Sequence, residues 1–145
     1  MSSSVMDLLP PILLIEDNPQ DVDLTLRAFR RCRLASPVLV ARDGEEALAW
    51  IPRWEAGEPL PAVILLDLRL PRIDGLTVLQ TLKSHAALRR IPVVVLTTSK
   101  EDRDIQAAYD LGANSYIVKP VDFDNFMDVA QQIKLYWCVL NETKR

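Results

Sequence analysis

The 145 residues are the size of one ordinary domain, with enough apolar mass for one well-filled core. Hydrophobic residues make up 49% and charged residues 26%, which excludes a disordered or low-complexity chain, and no apolar run reaches the length of a bilayer span. The net charge of −3 gives no general attraction for nucleic acid, and neither a nucleic-acid nor a membrane partner is expected.

In chain order, residues 1–10 read as a flexible N-terminal segment and residues 11–145 as one domain. The opening MSSSVMDLLPP lacks the basic start and long apolar stretch of a secretory signal, so a cytoplasmic location is expected. The first strand is Ile12–Ile15, an unbroken apolar run. Asn18 followed by Pro19 predicts a helix start, a capping side chain with proline at the first helical position, and Leu24, Leu26, Ala28 and Phe29 give that helix its apolar side. A second strand is Val38–Ala41. Asp43 to Glu46 fits a capping box with Asp in the capping place, opening a helix through Ala47, Leu48 and Ile51.

Trp54 to Pro61, with Gly57 and Pro59, reads as a surface loop. The third strand is Val63–Leu66 and is followed by a helix from about Leu76 to Ser84. The fourth strand is Val93–Leu96. Its helix is expected from near Ser99 to a C-cap at Gly112. The fifth strand is Ser115–Val118, and a last helix runs from after Asp122 to about Asn141. The first, third and fourth strands are almost wholly apolar, which marks strands buried on both faces of a parallel sheet. Alternation with short connections implies a (βα)5 three-layer α/β sandwich.

In an open parallel sheet, ligands bind beyond the carboxyl ends of the strands. Those ends carry Glu16 and Asp17, Asp67, Thr97 and Thr98, and Lys119 with Pro120. Any one of these alone is more often a turn or cap residue. Together they bring three carboxylates, hydroxyls and one ammonium to one edge. Two like charges about 4 Å apart cost on the order of 4 kcal/mol at an effective dielectric of ~20, so the carboxylates need a counter-charge. A hard divalent cation such as Mg²⁺ suits them, and Lys119 adds a further positive charge. Such a site fits a carboxylate that accepts a phosphoryl group.

The segments ILLIEDN, VILLDLRLPRIDG, IPVVVLTTS and YIVKP, in that order and spacing, resemble the receiver domain of bacterial response regulators over about Ile12 to Asn141. RRIPVVVLTTSKEDRDI, YIVKPVDFDNF and the ending QQIKLYWCVLN are similar to the single-domain regulators paired with phytochrome-type histidine kinases. The resemblance implies a flavodoxin-like five-stranded parallel sheet in the order 2-1-3-4-5. It implies that Asp67 is the phosphoacceptor, Asp17 a direct Mg²⁺ ligand, Glu16 a ligand through water, and the Arg69 backbone carbonyl a further ligand. Lys119 would pair with Asp67 and then with the phosphoryl group. Thr97 would be the switch hydroxyl and Tyr116 the switch aromatic. The Lys119–Pro120 bond would be cis. The implied partner is a sensor histidine kinase of bacteriophytochrome type, with signalling through protein contacts and no enzymatic turnover beyond self-phosphorylation and self-dephosphorylation.

Rival readings fare worse. An aspartyl-phosphate phosphatase of the haloacid dehalogenase kind would need a second Asp two residues after Asp67, where Arg69 stands. A pseudo-receiver would lack one of the acidic pair, the acceptor or the lysine. Flavin binding is disfavoured by the acidic EDNPQD turn. His85, the only histidine, reads as a helix-end residue, and Trp50 and Trp54 as packing or surface aromatics. On the last helix Phe126, Val129, Ile133, Trp137 and Leu140 form a core stripe, while Leu135 and Val139 make the opposite side of LYWCVL apolar too. That second apolar side predicts a homodimer through the C-terminal helix.

Overall fold

The computed structural model of the chain describes residues 9–119 and 122–143, with side chains as far as residue 135. Most of the expected N-terminal segment, the Lys119–Pro120 bond, and the side chains of Trp137, Cys138, Val139 and Leu140 lie outside the described residues.

Five strands form one parallel sheet, with β1 Ile12–Ile15, β2 Val38–Ala41, β3 Val63–Leu66, β4 Val93–Thr97 and β5 Ser115–Val118. Their order is β2-β1-β3-β4-β5, and each adjacent pair is parallel. Every residue of β1, β3 and β4 is buried, whereas β2 and β5 at the edges are mostly half-buried. This is the burial that the continuous apolar runs require. Alternate residues feed two cores. Ile12, Leu14, Val63, Leu65, Val94 and Leu96 face one, and Leu13, Ile15, Ile64, Leu66, Val93 and Val95 face the other.

Helix α1, Pro19–Arg31, starts where Asn18 Oδ1 accepts from the N–H groups of Gln20 at 2.9 Å and Asp21 at 3.2 Å. It ends in a Schellman turn, with Leu34 N–H donating to Phe29 O and Arg33 N–H to Arg30 O. The left-handed position of that turn is held by Arg33, at φ 58°, where glycine is usual. With α6, Phe123–Thr143, helix α1 covers one face of the sheet, through Val22, Ala28 and Phe29 against Phe126, Val129, Ala130 and Ile133.

The other face carries four helical segments, not three. The single helix expected after Asp43 is divided at Ala49 into α2, Gly44–Leu48, and α3, Trp50–Glu55. Pro52 has no N–H to offer the Leu48 carbonyl, so the hydrogen-bond ladder cannot run through. The capping box is also displaced by one residue. Asp43 Oδ1 accepts from Glu46 N–H at 2.8 Å, but Glu46 Oε1 accepts from Arg42 N–H at 3.1 Å. Trp54 belongs to α3 and is buried in the core, so the surface loop begins two residues later than its Gly and Pro content suggests. Helix α4, Gly75–Ser84, is capped by Asp74 Oδ1, which accepts from Thr77 N–H at 2.9 Å. Helix α5, Asp102–Asp110, starts later than expected from Ser99 and closes on Gly112 at φ 102°. His85 caps the end of α4. Its Nδ1 accepts from Ala87 N–H at 3.1 Å, which leaves Nε2 as the N–H that donates to Glu55 at 2.9 Å.

Candidate functional site

The strand order reverses between β1 and β3, and their carboxyl ends hold the acidic residues side by side. The sheet ladder continues one residue beyond three strands. Glu16 N–H donates to Ala41 O, Asp67 N–H to Ile15 O, and Lys119 N–H to Thr97 O at 2.8–3.1 Å. Backbone pairing therefore fixes the bases of three site residues before any side-chain contact is made.

One carboxylate oxygen from each of Glu16, Asp17 and Asp67 lies within 4.8 Å of the others. Glu16 and Asp67 are buried and Asp17 is exposed, so the cluster opens to solvent on one side. The two oxygens of Asp67 have different partners. Oδ1 accepts from Arg69 N–H at 3.0 Å, and Oδ2 accepts from Lys119 Nζ at 3.0 Å. Lys119 reaches this point from the end of β5, across the end of β4. Its ammonium also contacts Glu16 Oε1 at 2.5 Å and Asp21 Oδ2 at 2.8 Å.

The electrostatics show how uneven this balance is. Burial raises the Glu16 carboxyl to about 7; Asp67 adds to the rise, and the Lys119 hydrogen bond opposes it. Burial by itself would lower the Lys119 ammonium. Its hydrogen bonds to Asp21 and Glu16 and the charge of Asp67 outweigh burial and hold it above the ordinary lysine value. One cation thus serves several carboxylates, two of them, Glu16 and Asp67, buried. The donor set is all hard oxygen, which is the chemistry of a small divalent cation.

Thr97 is fully buried at the end of β4, and its Oγ1 accepts from Ser99 N–H at 3.4 Å. Tyr116 donates its hydroxyl to the Ser99 carbonyl at 3.0 Å and packs against the core on the α2–α5 face. Burial pushes its phenol up, with the Ser99 hydrogen bond opposing. Ser99 Oγ in turn donates to Asp104 Oδ2 at 2.5 Å. The Arg69 guanidinium is drawn outward to the same helix, 3.5 Å from Asp104 and 3.7 Å from Glu101. The loop after β3 closes back on itself at Gly75. A Cβ there would collide with the Asp67 carbonyl and the Leu68 backbone, so only glycine lets α4 start this close to the end of β3.

The structure thus brings together Glu16, Asp17, Asp67 and Lys119, and places Thr97 and Tyr116 on one short network around Ser99. Asp21 is the addition. It stands in the first turn of α1, a place where an acid ordinarily serves the helix dipole. The sequence signal for it was the run EDNPQD, in which it falls one helical turn after Asp17.

Residues 12–131 match the family described as response regulator receiver domain. The chain is 42% identical over 145 residues to the probable methanogenesis regulatory protein FilR2 of Methanothrix harundinacea, covering 98% of this chain and 94% of that one. Among solved structures it is similar to the phosphorylated cyanobacterial phytochrome response regulator RcpA, at 39% identity and a TM-score of 0.82, covering 89% of this chain and 94% of that one. It is also similar to the bacteriophytochrome response regulator AtBRR, at 52% identity and a TM-score of 0.71, covering 86% and 91%.

Proposed function

The chain belongs to the response regulator receiver domain family, and from that premise we propose that Asp67 accepts a phosphoryl group from a sensor histidine kinase of bacteriophytochrome type. The observation that carries this reading is the meeting of three carboxylates within 4.8 Å with a buried ammonium 3.0 Å from Asp67. An oxygen of Asp67 attacks phosphorus while the bond to the leaving group breaks and takes its electron pair away. Lys119, already on Asp67 Oδ2, passes one N–H to a phosphoryl oxygen. Thr97 offers its hydroxyl to another, and Tyr116 relays the change to the surface of α5, β5 and α6. The chemistry is confined to self-phosphorylation and hydrolysis of the acyl phosphate, and the signal leaves through protein contacts.

Asp17 and Asp67 would hold Mg²⁺ directly, Glu16 through a water, and Arg69 through its backbone carbonyl. The geometry supports this, because three carboxylates converge within 4.8 Å while Lys119 is the ammonium that reaches Glu16 and Asp67. The cation supplies neutralisation of phosphoryl oxygens. The kinase assignment is supported by the phytochrome link carried in the names of RcpA and AtBRR. Residues 11–145 form the receiver with its extended last helix, working in the cytoplasm; among the described residues no helix is long and apolar enough to cross a membrane.

The test is incubation with acetyl phosphate, with and without Mg²⁺, read by mass spectrometry. Wild type should gain one phosphoryl group only with the cation, and Asp67→Asn none. Equal labelling of both would remove Asp67 from its role.

A homodimer through the C-terminal helix region belongs to the same proposal. On α6, Phe126, Val129 and Ile133 are buried while Leu135 is 66% exposed. A second copy laid over that side would cover it. Light scattering at micromolar concentration should give twice the monomer mass for wild type and the monomer mass for Leu135→Asp; a monomeric wild type would refute it.

A further inference from the structure

Lys119 Nζ has three N–H bonds and three carboxylate acceptors, Glu16 at 2.5 Å, Asp21 at 2.8 Å and Asp67 at 3.0 Å. The side chain is only 5% exposed, so few other acceptors can reach it. The three acceptors do not have equal futures in the reaction proposed above, on which this inference rests. Asp67 loses its charge when it becomes an acyl phosphate. Glu16 belongs to the acidic cluster proposed for the cation. Asp21 is consumed by neither.

Local structure leaves Asp21 available for that task. It occupies the third position of α1, where an acid commonly reaches back to the N–H of the capping residue. Here the Asn18 N–H is taken by Glu16 Oε2 at 3.2 Å. The Asp21 backbone is fixed on both sides, its N–H on Asn18 Oδ1 and its carbonyl under the Thr25 hydroxyl at 2.7 Å. The carboxylate is therefore held in place and free to face the sheet, where it meets a lysine 98 residues later in the chain.

We propose that Asp21 is a positioning residue for phosphoryl transfer: it anchors the Lys119 ammonium from the α1 side and keeps it over Asp67 while the Asp67 carboxylate is converted to the acyl phosphate. In the balanced step an oxygen of Asp67 bonds to phosphorus, acetate leaves acetyl phosphate with the electron pair of the broken bond, and no proton is exchanged. Lys119 remains charged throughout, held by Asp21 as its N–H moves from Asp67 Oδ2 to a phosphoryl oxygen.

The experiment is the time course of labelling by acetyl phosphate with saturating Mg²⁺ in wild type, Asp21→Ala, Asp21→Asn, Lys119→Ala and the Asp21→Ala/Lys119→Ala double variant. Loss of one charged hydrogen bond should slow labelling at saturating donor roughly tenfold in Asp21→Ala, with the half-saturating donor concentration nearly unmoved. Asp21→Asn keeps an oxygen facing Nζ and should recover part of the rate, and it serves as the working variant if Asp21→Ala does not fold. In the Lys119→Ala background the Asp21→Ala change should have no further effect, because nothing is left to position. A rate in Asp21→Ala equal to or above wild type overturns the inference, as does an equal slowing in both backgrounds, which would mean that Asp21 acts through α1 alone. Wild type that takes no label overturns the functional reading itself; wild type labelled at Asp67 with Asp21→Ala just as fast overturns only the role of Asp21.

Discussion

Two clusters of ion pairs flank the loop after β3, built from the same kinds of charge in different surroundings. On one side Lys119, 5% exposed, meets Glu16, Asp21 and Asp67 at 2.5–3.0 Å. On the other, Arg69, 55% exposed, meets Asp104 and Glu101 at 3.5–3.7 Å. Water screens the second cluster and competes for its hydrogen bonds, so its pairs stabilise the fold little. In the first, Lys119, Glu16 and Asp67 are nearly shut off from water and depend on the protein for compensation, with only Asp21, 27% exposed, at the rim. Charge alone therefore does not identify the working centre. Burial with every donor engaged does.

Substitutions across the two clusters should grade accordingly. The largest effect belongs to Lys119→Met, which leaves Glu16 and Asp67 buried without their cation. Urea unfolding in the absence of divalent ions should show a loss of about 3 kcal/mol, and Mg²⁺ should restore more stability to this variant than it adds to wild type. A loss below about 1 kcal/mol would place the two clusters on the same footing. Asp104→Ala comes next, because it strips the Ser99 hydroxyl of its 2.5 Å acceptor as well as releasing Arg69. About 1 kcal/mol is expected by the same measurement, with the Tyr116 resonances shifting, since Tyr116 donates to the Ser99 carbonyl. Arg69→Ala should cost the least, within about 0.5 kcal/mol, and that small cost should vanish in 1 M salt. A salt-resistant loss there would mean the guanidinium is bound more tightly than its exposure implies.

The fold was legible where local pattern and tertiary outcome coincide. Continuous apolar runs marked β1, β3 and β4 because a strand between two neighbours and under two helix layers has no polar face to show. Asn18 and Asp43 marked helix starts because capping is a matter of two or three adjacent residues. The break at Ala49 escaped because Trp50–Glu55 is apolar enough to continue a helical pattern, and only the missing N–H of Pro52 stops it. Arg33 in the left-handed position escaped for a similar reason: its turn is held by hydrogen bonds, not by a residue with a preference for it. At the site, the residues of the strand ends were visible as a set. Asp21 was not, because its significance depends on a lysine that folding brings from the far edge of the sheet, and a helix-start acid is a sufficient explanation for it until that lysine is in place.

The close approach at Gly75 has a mechanical consequence. Lys119 joins the site through a side chain with four rotatable bonds, so a displacement at Asp67 can be absorbed along that route by torsion. Between Asp67 and α4 the contact is backbone on backbone, with no side chain in between to yield. The close approach couples the start of α4 directly to the end of β3. A shift of the Asp67 carbonyl should therefore move the start of α4 with it, where an intervening side chain would yield.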